Sequence, residues 1–176
     1  MKIRTRALLL TMTASLASLP AVHADTSGTL NFTGQVNAGT CDLAAGDLNR
    51  SLALPAIKIS DFDSTSTAGS LDFEISAECD SDIRKVVFQF GGTPAEANPL
   101  LFSNTGTSTG TALALSHRAA KAYAIPANGK VEQRSRTIAT KGKKAVIPLT
   151  AAYHKTGVAI TQGTLASAVT VSITYN

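Results

Sequence analysis

The sequence contains no tryptophan, only two cysteines, three histidines and six prolines, and just 5% of its 176 residues are aromatic. Each scarcity removes a class of function. With so few rings there is no aromatic cluster on which a small ligand would stack. Covalent catalysis needs a nucleophile, a base and an orienting acid in a sensible context. Beyond residue 24 the only histidines are His117 and His154. Both fall in or beside apolar alternations and neither sits in a recognisable catalytic motif, so no enzyme is expected. Two cysteines with two distant histidines lack a zinc-binding spacing. No stretch approaches the ~20 consecutive apolar residues of a membrane-spanning helix.

The first residues instead read as an export signal. Lys2, Arg4 and Arg6 form a positive start, residues 7–19 are apolar with interspersed Thr and Ser, and Val22-His23-Ala24 precedes a cut after Ala24. That is the pattern of a cleaved secretory signal peptide over residues 1–24. Pro20, His23 and the hydroxyls argue against a retained anchor. Cleavage would leave one domain's length of chain. It would also remove three basic residues and no acids, leaving 13 basic against 12 acidic side chains. Nucleic acid is therefore not an expected partner. In an exported chain the pair Cys41 and Cys79 reads as a disulfide. A loop of that length is stabilised by roughly 4 kcal/mol on the chain-entropy model.

What the sequence does have is period-2 alternation. Leu30, Phe32 and Val36 share one parity, with Gly34 in the remaining place. Leu52, Leu54, Ile57 and Ile59 suggest a second strand bent at Pro55. Leu71, Phe73, Ile75 and Ala77 lead to Cys79, and Val86, Phe88 and Phe90 lead to Gly91-Gly92. Residues 112–115, 146–153 and 168–175 complete the set. Such runs put one face of each strand on a core and leave the other wet. Several of them separated by polar turns predict an all-β sandwich or barrel in one domain. Residues 61–70 and 103–110 read as loops, and Gly91, Gly92 and Gly142 as turn glycines and not phosphate loops.

Other polar clusters are weaker. Asp61 with Asp63, and Asp80 with Asp82, space two carboxylates by two residues but lack the further ligands of a calcium loop, and are read as solvated turn acids. Lys130, Arg134, Arg136, Lys141, Lys143 and Lys144 face one acid, Glu132. They fit either a patch for host glycans and other polyanions or a solvated strand–loop–strand whose charges protect an edge, and we read them as the latter. No cofactor is expected.

The two ends carry the strongest patterning. The first alternation precedes Cys41, and the last, Val169, Val171, Ile173 and Tyr175, runs almost to the C-terminus. Terminal patterned strands either pair with each other in a closed sandwich or leave an edge that another chain joins. The alternation alone leaves both open. Residues 28–41, GTLNFTGQVNAGTC, and 77–80, AECD, resemble type 1 fimbrial pilins of the chaperone–usher class. So do residues 163–176, GTLASAVTVSITYN, with Gly163 fourteenth from the end and Tyr175 penultimate, and 146–153, VIPLTAAY.

The resemblance implies an immunoglobulin-like β-sandwich lacking one strand, completed by donor-strand exchange. Residues 25–38 would be the donor extension and 39–176 the sandwich domain. Leu30, Phe32, Gly34 and Val36 would enter a neighbour's groove, while Gly163, Val169, Val171, Ile173 and Tyr175 would form the groove edge and contact the chaperone. The implied partners are a periplasmic pilus chaperone, an outer-membrane usher, neighbouring pilin subunits and, through the fibre, host glycans or surfaces. The implied location is a fimbrium on the bacterial surface, reached through the periplasm, serving adhesion or biofilm formation. A free-standing secreted binding module, small and lectin-like, is the alternative; it predicts a stable monomer.

Overall fold

The structure, a computed structural model, describes residues 29–118 and 123–176. The expected signal peptide, its cleavage after Ala24 and residues 25–28 of the expected extension lie outside the described residues. The chain divides into two compact units, residues 1–36 and 37–176. In the first, residues 29–36 form no strand, and Leu30, Phe32 and Val36 are 82%, 89% and 100% exposed. The alternation expected there to make a strand makes none, because a single extended segment has no ladder to hold it.

The second unit is built from antiparallel strands. These are β1 (Cys41–Leu43), β2 (Thr67–Cys79), β3 (Lys85–Gly92), β4 (Pro94–Ala95), β5 (Asn98–Phe102), β6 (Thr111–His117), β7 (Tyr123–Ile125), β8 (Ser135–Ala139), β9 (Lys144–Lys155) and β10 (Val169–Tyr175), with an α-helical turn, α1 (Val131–Arg134), and short 3-10 turns at Ala45–Asp47 and Ile59–Phe62. Among the described residues, one sheet has the order β1-β2-β9-β6-β5-β4, with β7 also on β6, and the other has the order β10-β3-β8. The alternating side chains of both sheets meet in one core. Val86, Phe88 and Phe90 of β3 and Ile147 and Leu149 of β9 are fully buried there, with Phe102 and Ile125. Burying each such side chain contributes roughly 1.5–3 kcal/mol. Cys41 and Cys79 are opposite each other in the β1–β2 register and form the expected disulfide.

The structure corrects several sequence readings. Leu52, Leu54, Ile57 and Ile59 do not form a strand: residues 51–58 join no ladder, and Ile59–Phe62 is a turn of 3-10 helix. Pro55 has no amide to donate, and on one side this segment borders an open cleft instead of a neighbour. Gly91 and Gly92 are not turn glycines but lie inside β3, paired with Thr170 and Val169. At Gly92 the lack of a side chain serves packing: a Cβ there would stand 2.6 Å from the ring of Phe102. The loop expected over 61–70 ends sooner, since β2 begins at Thr67. Short β1, β4, β5, β7 and β8 carry too few residues for a visible period.

Candidate functional site: an apolar groove along β10

Among the described residues, strand β10 has a neighbour on one side only. Its residues Val169–Tyr175 pair in register with Gly92–Val86 of β3, and β10 ends the sheet. Alternation turns Val169, Val171 and Ile173 inward, where they are half-buried against the core, while Thr170, Ser172 and Thr174 face out. Tyr175, of the same parity, is 40% exposed.

Beside that edge the core is uncovered. A cleft of about 790 Å³ has its floor on Phe73, Ile75, Phe90, Leu113, Leu115 and Leu149. One wall is the unpaired segment 47–54, the other 165–171. A second cavity of about 650 Å³ lies between residues 54–62 and 160–165. The two share Leu54, Tyr153 and Leu165, so they form one long groove. As one wall runs from 47 to 62 the other runs from 171 to 160, antiparallel and separated by the groove. Phe73 and Ile75, in the middle of β2, are accordingly only half-buried, although their neighbour Ala77 is fully buried.

Polar groups mark one end. Asp47 Oδ2 accepts from Ser76 N at 2.8 Å and from Ser76 Oγ at 3.2 Å. Arg50 Nη1 donates to Asp47 Oδ1 at 3.0 Å and to the Glu74 carbonyl at 2.9 Å. This pair ties the 47–50 wall to β2. Being partly exposed it adds little net energy, and its role is position.

Gly163 lies in the second wall, so close to Thr107 and Ser108 that a Cβ would collide with their backbone. The expected donor residues Leu30, Phe32 and Val36 lie in the other unit, exposed, and Gly34 has open space around its Cα. Sequence reasoning missed the wall at 47–50, Tyr153, and Leu165 with Ser167. The last two were visible as an upstream continuation of the β10 parity.

The remaining candidates have other duties. His117 lies at the end of β6 opposite Leu149, whereas His154 on β9 is opposite Ala112, so the two stand at opposite ends of the β6–β9 ladder. His154 Nδ1 is 2.7 Å from the carbonyl of Lys155. Burial, and then the charge of Arg136, pull the His117 pKa below its ordinary value. Burial likewise lowers that of Arg136. Asp61 Oδ2 accepts from Lys58 N and caps a turn. Asp80 Oδ2 accepts from Thr40 N and Asp82 Oδ2 from Gly39 N, each at 2.8 Å, which fastens the start of the domain beside Cys41. In the basic stretch, Arg134 donates to the carbonyls of Gly129 and Phe90, and Arg136 to those of Gln133, Ser135 and Ala124. Those two guanidiniums are engaged in holding the chain.

A family model described as fimbrial protein matches residues 30–176. The chain belongs to the fimbrial protein family. As one of its members it is an exported pilus subunit of surface fimbriae and not an enzyme. Solved structures share the fold of this pilin. The P pilus rod subunit PapA aligns with a TM-score of 0.62 at 18% identity, over 77% of this chain and 99% of that one. A chaperone–usher pilus structure gives 0.62 at 18% identity, over 91% and 99%. A type I fimbria protein and antigen of Burkholderia pseudomallei gives 0.53 at 19% identity, over 77% and 98%. A search of curated proteins returns no match. The two-sheet architecture is the immunoglobulin-like sandwich of these pilins.

Proposed function

We propose that this pilus subunit polymerises by donor-strand exchange, receiving a neighbour's extension in the groove beside β10 and offering residues 25–38 to the next subunit. The observation that carries this reading is the free edge of β10 over an uncovered apolar floor. Unpaired amides and carbonyls beside an apolar row invite a strand to add. Leu30, Phe32 and Val36 are the side chains inserted, each contributing roughly 1.5–3 kcal/mol on burial, and Gly34 passes where the groove leaves no room.

Before assembly a periplasmic chaperone covers the same groove, contacting Val169, Val171, Ile173 and Tyr175, and an outer-membrane usher orders the exchange. The fibre serves adhesion or biofilm formation. The test is deletion of residues 25–36, followed by unheated SDS gels of surface fibres. The deletion is expected to abolish the ladder of SDS-resistant, heat-sensitive oligomers into which this subunit donates. A normal ladder from the truncated chain would show that another segment makes the joint.

A further inference from the structure

The far wall of the groove, residues 160–166, lies beyond the reach of the ladder that holds β10. That ladder ends at the Gly92–Val169 pair, because β3 stops at Gly92. Upstream of Val169 no strand among the described residues backs the wall, yet its side chains Ile160 and Leu165 line the second cavity. What backs it is the loop 103–110, through three backbone bonds (Thr105 N to the Ala166 carbonyl at 2.7 Å, Ser108 N to the Thr164 carbonyl at 3.0 Å and Thr161 N to the Thr109 carbonyl at 3.3 Å) and a set of side-chain bonds. Thr107 N donates to Thr164 Oγ1 at 3.1 Å, and Thr164 N returns a bond to Thr107 Oγ1 at 3.0 Å. Thr109 N donates to Thr161 Oγ1 at 2.9 Å and Ser108 Oγ to the Thr161 carbonyl at 2.9 Å. Gly106 permits the approach, since a Cβ there would collide with the Thr164 carbonyl.

Asn104 is the centre of this clasp. Its Nδ2 donates to the carbonyl of Ser108 at 2.8 Å, to Thr111 Oγ1 at 3.2 Å and to the carbonyl of Thr164 at 3.3 Å. Its Oδ1 accepts from Gly106 N at 2.7 Å and from Ala166 N at 2.9 Å. One half-buried amide thus joins the loop, the first residue of β6 and the groove wall. Ser108 and Thr111 themselves line the second cavity, so the amide braces that cavity from behind.

We infer that Asn104 is a positioning residue for strand uptake: it holds the 160–166 wall away from the 54–62 wall, so that the second cavity stands open to an incoming strand. The inference rests on the donor-strand reading above. Without the clasp's side-chain bonds the wall is held by three backbone bonds alone, and burial of Ile160 and Leu165 against Leu54, Ile57 and Phe62 draws it inward. The groove then has to be reopened before each exchange.

The test uses the full processed chain, purified, and a fluorescent synthetic peptide of its own residues 25–38, with uptake timed on unheated SDS gels. No uptake by the wild type would sink the donor-strand reading itself. Given wild-type uptake, Asn104→Ala is expected to slow it by about tenfold, roughly the effect of one net hydrogen bond, while the melting temperature of the peptide-filled complex changes little. Asn128→Ala, which removes a turn bond to Gly129 N, is expected to leave the rate unchanged. Should Asn104→Ala fail to fold, the exposed pair Thr107→Val with Thr164→Val breaks the same clasp and is expected to slow uptake in the same direction. Uptake at the wild-type rate by the folded variant, or loss of rate in proportion to loss of stability, overturns the assignment.

Discussion

Gly92 stands opposite Val169 at the last rung of the β3–β10 ladder, with the ring of the fully buried Phe102 packed into the space where its side chain would be. The rung is therefore both the end of a sheet and a point of close core packing. It separates the part of the groove wall held by backbone ladder from the part held by the loop clasp.

Filling that space should be costly. Gly92→Ala puts a Cβ 2.6 Å from Phe102 and 2.9 Å from the carbonyl of Ala168. Overpacking of this kind costs about 1–3 kcal/mol. Chemical denaturation of the purified protein is expected to show a lower midpoint with little change in slope.

The disulfide should carry a large part of the stability of the first sheet's edge. Cys41 and Cys79 are both buried and close a separation of 38 residues across β1 and β2. Replacing both by Ser is expected to destabilise the domain by about 4 kcal/mol on the chain-entropy model. Denaturation with and without reductant measures this directly: reductant should move the wild-type curve onto that of the variant.

Stability should also fall on mild acidification. The folded-state pKa of His117 lies below its ordinary value of 6.5, because of burial and the nearby Arg136 charge. Between the folded and unfolded values the unfolded chain binds more protons, so stability rises with pH there. The contribution is fully present above about pH 6.5 and is lost as pH drops through that value towards the lowered one. His117→Gln is expected to flatten this part of a stability-versus-pH profile; an unchanged slope would assign it to other groups.

Along β10 the two faces should respond differently. Ile173 packs against the core, whereas Thr174 is exposed. Ile173→Asp is expected to lower the periplasmic level of the subunit several-fold and to deplete it from fibres, while Thr174→Asp leaves both near wild type. Immunoblots of periplasm and sheared fibres read both outcomes. Equal effects from the two changes would remove β10 as the groove edge.

The architecture of the long elements was legible because alternation is a local property. Phe73-Ile75-Ala77, Val86-Phe88-Phe90 and Val169-Val171-Ile173 each mark an inward face within a few residues, and a two-layer β core is what such faces make. The same local logic misread Leu52-Leu54-Ile57-Ile59, since whether an apolar run becomes a strand depends on a neighbour that no local pattern names. It also misread Gly91 and Gly92 as turn glycines; at Gly92 the missing side chain makes room for the distant ring of Phe102.

The amino-acid sequence by itself determined the class of this protein: an all-β domain with a disulfide, patterned at both ends and without catalytic chemistry. Those properties follow from residue type and spacing. Only the tertiary structure decided that the apolar floor lies uncovered between residues 47–62 and 160–171, and that Asn104, an unremarkable residue in a polar loop, backs one of those walls. A groove is made of separations between distant segments, and such separations are fixed by packing.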